Sequence, residues 1–145
     1  LGLVGQPVCD GDAHLLAHLL NGGYVPVVAT IGAGVDGTLF NVNADTMAAA
    51  LAVRLQASRL VIAGTTPGVL DAQGRTIAAL DSTAEQALIA GGTVNRGMLA
   101  KLQACRAALD SGVASVLIAN GRDVARLPAL AAGTAGSDGT ETRVL

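Results

Sequence analysis

Gly32-Ala33-Gly34-Val35-Asp36-Gly37-Thr38-Leu39-Phe40-Asn41-Val42-Asn43-Ala44-Asp45-Thr46 is the stretch whose reading decides the fold. Its first six residues satisfy G-x-G-x-x-G, a spacing that in dinucleotide-binding folds opens a helix whose N-terminus holds a pyrophosphate. Here the glycines run instead into Thr38-Leu39-Phe40-Asn41-Val42, rich in strand formers, and the helical pattern starts only near Ala44. No acidic residue stands at the distance a ribose contact needs. The stretch therefore predicts a β-hairpin with Asp36-Gly37 at its tip, a short strand, and then a helix. Asn41 and Asn43 are two apart on an extended backbone, so both point to one side. Asp45 falls in the first helical turn, where a carboxylate suits the positive end of the dipole. Two readings are open from these residues alone. Either Asn43 caps the helix and Asp45 complements its dipole, or two amides and a carboxylate form a small-molecule site at a strand-to-helix junction.

Outward from this stretch, composition narrows the class. The chain has 145 residues, 51% of them hydrophobic, yet only one Phe, one Tyr and no Trp. Small aliphatic residues with 19 glycines fit helices packed closely on a parallel sheet and joined by tight turns. A net charge of −2 and the scarcity of aromatics speak against nucleic acid, which calls for a basic face and stacking platforms. No apolar run is long enough for a membrane span. Cys9 and Cys105 have no CxxC spacing and read as two reduced thiols of a cytoplasmic protein. His14 and His18, four apart on a helix, read as partly exposed histidines rather than ligands, and no metal site is assigned.

Upstream, Leu1-Gly2-Leu3-Val4-Gly5 reads as the middle of a buried strand, so the sequence is expected to be truncated at its N-terminus. Asp10-Gly11-Asp12 predicts a turn, residues 13–20 a helix, and residues 24–29 a strand with Pro26 near its start. Downstream, the helix over 44–56 is expected to bury Met47, Leu51 and Leu55, with Ala44, Ala48 and Ala52 beside them. Residues 60–63 make a buried strand, and Gly64-Thr65-Thr66-Pro67-Gly68-Val69-Leu70-Asp71 a turn able to offer N–H groups to phosphates. Ser82-Thr83-Ala84-Glu85 has capping-box spacing ahead of a helix. A further helix, to about Ser111, carries Met98, Leu102, Cys105 and Leu109 on its buried stripe, with Lys101 at the edge. Taken alone, Lys101 reads as a solvated helix lysine and Cys105 as an inert core thiol. Residues 113–119 and 142–145 complete the strands, with a helix through Leu130 and a loop over 133–139 between them. Alternating strands and helices predict an α/β three-layer sandwich with a largely parallel sheet.

Asn41-Val42-Asn43-Ala44-Asp45 resembles the corresponding segment of acetylglutamate kinases, members of the amino-acid kinase superfamily. The resemblance runs in order through Tyr24-Val25-Pro26-Val27-Val28, Pro67-Gly68-Val69-Leu70-Asp71, Gly97-Met98-Leu99-Ala100-Lys101 and the closing Gly139-Thr140…Arg143. It implies transfer of the ATP γ-phosphate, with Mg²⁺, to the side-chain carboxylate of N-acetyl-L-glutamate, as in arginine biosynthesis. Asn41 and Asn43 would then bind the amino-acid substrate. Asp45 would orient the catalytic lysines, and Lys101 would stabilise the transferring phosphoryl group. Thr65, Thr66, Pro67, Gly68, Val69 and Leu70, with Thr93, Val94 and Asn95, would line the nucleotide site.

Residues 1–56 would complete the amino-acid-binding domain and 57–145 would form the nucleotide-binding domain, in a homo-oligomeric full-length protein. Thr65 stands where members of the family carry an Asp, which removes a carboxylate from the nucleotide turn. The family's Gly-Gly-Lys segment lies upstream of residue 1, so the chain by itself is expected to be a poor kinase. Two alternatives stand beside this reading. One is a kinase for carrier-linked aminoadipate in lysine biosynthesis; the other is a non-catalytic nucleotide-binding or regulatory module.

Overall fold

The computed structural model describes residues 2–8, 11–135 and 139–145. Leu1, Cys9, Asp10 and residues 136–138 lie outside the described residues, and with them parts of the expected first strand, the expected 10–12 turn and the expected 133–139 loop.

The deciding stretch folds as its residues dictate. Strand β2 (Ile31–Ala33) turns back onto β3 (Leu39–Val42) as an antiparallel hairpin, Ala33 opposite Leu39. At the tip Gly37 takes φ +81°, and the Asp36 carboxylate accepts hydrogen bonds from the Thr38 N–H (3.0 Å) and hydroxyl (2.8 Å). These bonds, the main-chain one first, hold the Asp36 carboxyl below the usual carboxylate range. Strand β1 (Val4–Gly5) pairs parallel with the other edge of β3, giving a three-stranded sheet of order β1-β3-β2. Between β1 and β2 lies α1 (His14–Asn21), which buries none of its residues.

The second sheet has the order β4-β6-β7-β5. Its spine is β4 (Arg59–Gly64) parallel to β6 (Ser115–Asn120), in register from Arg59↔Ser115 to Gly64↔Asn120. The last strand, β7 (Thr142–Val144), runs antiparallel to β6 and parallel to β5 (Ala79–Leu80). Both sheets are thus mixed, and over the two together parallel pairs outnumber antiparallel ones, in an α/β fold. Side chains alternate across the spine. Leu60, Ile62, Val116 and Ile118 face a core shared with α2 (Ala44–Arg54) and α4 (Arg96–Asp110). Leu117 and Ala119, with Val61, face Leu130 of α5 (Leu127–Ala132) on the other side. Helices therefore cover both faces of this sheet.

Four expectations are corrected. Residues 24–29 form no strand: they have no ladder partner among the described residues, and Val25 and Val27 are 87% and 96% exposed. Composition favours an extended backbone there, but an extended segment becomes a strand only when a neighbouring edge accepts its hydrogen bonds. The first strand is short and exposed at Leu3 and Val4 rather than buried, since among the described residues its one ladder partner is β3. On α2 the buried residues are Ala49 and Ala52, flanked by Ala48 and Val53, while Met47, Leu51 and Leu55 are only partly buried. The alanine face lets α2 approach α4 closely, which the bulkier face could not. Finally, α3 (Ser82–Ala90) is capped by Asp81, which accepts from the Ala84 N–H (2.8 Å). Glu85 turns away from a capping box to pair with Arg106 at 2.8 Å.

The buried stripe of α4 is as expected at Leu102 and Cys105, both fully buried, and it widens to Ala104 and Ala108. Leu102→Ala should destabilise the chain by about 2–5 kcal/mol, through lost transfer energy and a residual cavity. Leu15→Ala, on the exposed face of α1, should stay within about 0.5 kcal/mol. Urea unfolding midpoints of the two variants check both, and equal shifts would contradict the assigned core.

Candidate active site

The site is assembled from one helix start, one helix middle and two strand ends. At the first of these, Asn43 leaves β3 with φ −60° and ψ 132°, and its side-chain oxygen accepts from the N–H groups of Asp45 (2.9 Å) and Thr46 (3.0 Å). Two of the donors left over at the helix start are thereby satisfied. The cap fixes the first turn of α2 and so aims the Asp45 side chain. Asn41, two residues earlier on β3, has its main chain in the ladder with Val4 and Ile31 and its side chain exposed.

Helix α4 starts in the same way: Asn95 accepts from the Met98 N–H at 2.9 Å. Further along this helix, Lys101 leans off the buried stripe, and its Nζ meets Asp45 Oδ1 at 2.7 Å. The side chains are 23% and 14% exposed, so the pair is largely withdrawn from water. Fifty-six positions apart in sequence, the two charges become neighbours because α2 and α4 pack together.

The third component lies under this pair. Lys101 Cε is 3.9 Å from where a Cβ on Gly64 would stand, as is the Thr66 N–H nitrogen. The lysine stem therefore passes over the end of β4, at a distance where a Cβ on residue 64 would make ordinary van der Waals contact with it. Gly121 N donates to Gly64 O at 2.8 Å, binding the ends of β4 and β6 together. A charged pair at the carboxyl ends of adjacent parallel strands occupies the usual ligand crevice of an open α/β sheet.

From Gly64 the chain enters the 65–70 turn. Thr65 and Pro67 are exposed, Thr66 donates from its hydroxyl to Gly68 O (2.8 Å), and Val69 is buried in the core. Of the sequence-derived nucleotide residues, Thr65, Thr66 and Pro67 thus form the rim of the turn. Gly68 and Val69 anchor it from below, and Leu70 bridges to Thr76. Thr93 is exposed, Val94 packs against the core, and the Asn95 oxygen is engaged in its cap. The structure thus joins Asp45, Lys101 and the start of the 65–70 turn, and it ties Asn95 to Lys101 through α4.

Sequence reasoning missed Thr142. It is fully buried, its hydroxyl accepting from the Val69 N–H (2.8 Å) and donating to Ile77 O (2.7 Å). No local signal could have found it, since Val69 lies 73 positions away. A cavity of about 560 Å³ opens between α2 and α4, lined by Asn43, Thr46, Gln103 and a wall of alanines. It includes neither Asp45 nor Lys101 and is not the reacting centre. Cys105, one turn beyond Lys101, is pushed up to about 12, first by burial and then by the negative charges of Asp45 and Glu85. It is no nucleophile at neutral pH.

Chemically, the site offers main-chain N–H groups, threonine hydroxyls and one lysine, all donors suited to phosphate oxygens. Its carboxylate, Asp45, is already held by the lysine.

The amino acid kinase family model matches residues 6–120. The chain belongs to the amino acid kinase family. It is 44% identical over 99 residues to the acetylglutamate kinase of Sphingopyxis alaskensis, a match spanning 68% of this chain and 32% of that protein. The chain thus spans about a third of the length of the curated relatives it matches. Among solved structures, smu.665 from Streptococcus mutans UA159 superposes with a TM-score of 0.71 at 28% identity, over 75% of this chain and 44% of that one. N-acetylglutamate synthase from Neisseria gonorrhoeae, complexed with coenzyme A and L-arginine, gives 0.77 at 25% identity, over 92% of this chain and 30% of that one.

Two outcomes test the site as an electrostatic unit. In a double-mutant cycle with Asp45→Asn and Lys101→Met, thermal or urea unfolding should yield a coupling of about 1–3 kcal/mol. Additive effects would mean that the pair contributes nothing. Cys105 in the native protein should resist iodoacetamide at pH 8 and react once unfolded, as read by peptide mass spectrometry. Because its folded-state value lies above the ordinary 9.0, its contribution to stability is complete below pH 9 and is lost as pH rises toward about 12.

Proposed function

We propose that the chain is the carboxy-terminal part of an acetylglutamate kinase, which transfers the ATP γ-phosphate to the side-chain carboxylate of N-acetyl-L-glutamate. The observation that carries this reading is the Lys101–Asp45 pair at the carboxyl ends of β4 and β6, beside the 65–70 turn. Similarity to curated acetylglutamate kinases supports the substrate. An acyl carboxylate is ionised at neutral pH and needs no general base, so catalysis reduces to positioning and charge neutralisation.

In this reading Lys101 stabilises the transferring phosphoryl group, and Asp45 holds the lysine where that group passes. Asn41 binds the acyl amino acid with its exposed amide. Asn43, its oxygen engaged in the cap, contributes at most its amide N–H. Thr65, Thr66 and Pro67, with the N–H groups of the turn and residues 93–95, receive the nucleotide. Mg²⁺ would be carried on the nucleotide phosphates, where it supplies positive charge against the developing oxyanions. Residues 1–56 belong to the amino-acid-binding domain and 57–145 to the nucleotide-binding domain, a division supported by the change of sheet between α2 and β4. The reaction belongs to the cytoplasm and to arginine biosynthesis, in a homo-oligomer.

Carrier-linked aminoadipate kinase chemistry shares this site and differs in the acceptor. A second reading, a non-catalytic regulatory module, draws on two observations. Thr65 leaves the turn without a carboxylate, and the fold is close to that of the N-acetylglutamate synthase complexed with L-arginine.

The decisive assay fuses the chain behind the amino-terminal part of the Sphingopyxis alaskensis relative and traps acetylglutamyl phosphate as its hydroxamate. The fusion should turn over N-acetyl-L-glutamate with ATP, and Lys101→Ala should lower kcat by about 10²-fold or more with little change in KM for ATP. Turnover indifferent to Lys101 would remove its assigned role. A folded fusion with no turnover, paired with L-arginine binding by the chain, would favour the regulatory reading.

A further inference from the structure

We propose that Thr142 is the positioning residue of the 65–70 turn: its hydroxyl latches the turn to β7 and so sets how the turn's N–H groups meet nucleotide phosphates. This rests on the nucleotide reading of that turn given above.

Three observations converge on Thr142. It is among the few polar residues in the buried interior, and it has no exposed surface. Its hydroxyl oxygen stands between two chain segments, accepting from Val69 N at 2.8 Å and donating to Ile77 O at 2.7 Å. Ile77 N closes the same small circuit by donating to Val69 O at 2.9 Å. Finally, the turn lies directly on β7 at Gly68. A Cβ there would come within 2.8 Å of Thr142 N and 3.0 Å of Thr76 Cγ2, and closer still to the Thr142 hydroxyl. Only glycine allows that approach.

The consequence is a turn pinned at both ends to one sheet. At its start, Gly64 belongs to β4. At its end, Val69 hangs from Thr142, whose strand pairs with β6 at Ile118. Strand β6 in turn pairs with β4 along its whole length. Between the two pins stand Thr65, Thr66 and Pro67, the rim that a nucleotide would meet. Thr142 touches no substrate in this arrangement and acts through Val69.

Valine has the shape of threonine without the hydroxyl. Thr142→Val would leave the Val69 N–H and the Ile77 carbonyl without partners in a dry interior, and the turn would shift to find others. Serine keeps the hydroxyl and loses only a methyl group.

The test compares wild type, Thr142→Val and Thr142→Ser by amide hydrogen exchange and by calorimetric titration with Mg-ATP. In Thr142→Val, the amides of residues 65, 66 and 68–70 should exchange about tenfold faster or more, while those of β4, β6 and α4 hold, which also shows that the fold is intact. The dissociation constant for Mg-ATP should rise about tenfold, and Thr142→Ser should restore both readouts. Turn amides that exchange in Thr142→Val as in wild type would overturn the latch, and so would a serine variant that behaves like valine. Loosened amides with unchanged Mg-ATP affinity would overturn its effect on the nucleotide. A wild-type chain that gives no heat with Mg-ATP would instead reject the nucleotide reading of the turn, and the latch would then stand or fall on exchange alone.

Discussion

Everything at the site depends on how closely α2 and α4 approach each other. Their seam is built from Ala49 and Ala52 on one helix and Ala104, Cys105 and Ala108 on the other, all buried in one cluster. Side chains this small allow helix axes near the lower end of the usual range of about 8–10 Å. Asp45 continues the α2 seam at i−4 from Ala49, and Lys101 continues the α4 seam at i−4 from Cys105. The ion pair is therefore the polar end of an alanine seam, and its 2.7 Å contact is set by packing several residues away. A leucine at position 49 or 52 would spread the helices and stretch the pair without touching either charge.

How much of this could be read in the sequence depends on the range of the physics involved. Signals contained in a few residues were legible: the Asp36-Gly37 tip, the Asn43 cap, the β4 and β6 runs, and the stripe of Leu102 and Cys105. Signals needing a distant partner were not. Residues 24–29 have the composition of a strand but no edge to pair with, and Asp81 rather than Ser82 caps α3 because the cap position is fixed by where the chain leaves β5. The face of α2 was misread because hydrophobicity favours Met47 and Leu51, whereas the packing constraint favours small size. Thr142 is the extreme case, its meaning set wholly by Val69 and Ile77.

The Asp45–Lys101 pair occupies a middle ground. Periodicity alone makes Lys101 a solvated lysine at the edge of a stripe; its pairing with Asp45 was suggested by the family resemblance, and the 2.7 Å contact then bears the pairing out as geometry. Its catalytic part in phosphoryl transfer is a separate matter of chemistry. An ion pair in a half-buried setting can be purely structural, and removing one partner of such a pair destabilises whatever its purpose. The turnover of Lys101→Ala separates the two cases, and placement bears on which is expected. A structural pair is indifferent to what lies beside it, whereas a catalytic one needs donors for phosphate nearby, and here the lysine stem lies over Gly64 at the start of the 65–70 turn that the proposed function assigns to the nucleotide.

Charge balance argues for the same division of labour. Lys101 and Asp45 together are neutral, so the pair adds little net attraction for a nucleotide that is itself strongly anionic, and less for an acceptor that is also a carboxylate. A lysine without Asp45 would draw phosphate more strongly but would hold no fixed position, and catalysis by charge depends on donors that are already in place when the charge develops. In the proposed reaction Asp45 thus exchanges affinity for position. The net positive charge must then come from elsewhere: from Mg²⁺ on the nucleotide, and from main-chain N–H groups in the 65–70 turn. With no carboxylate at Thr65, that turn adds no opposing charge of its own, and its value lies entirely in where its N–H groups point.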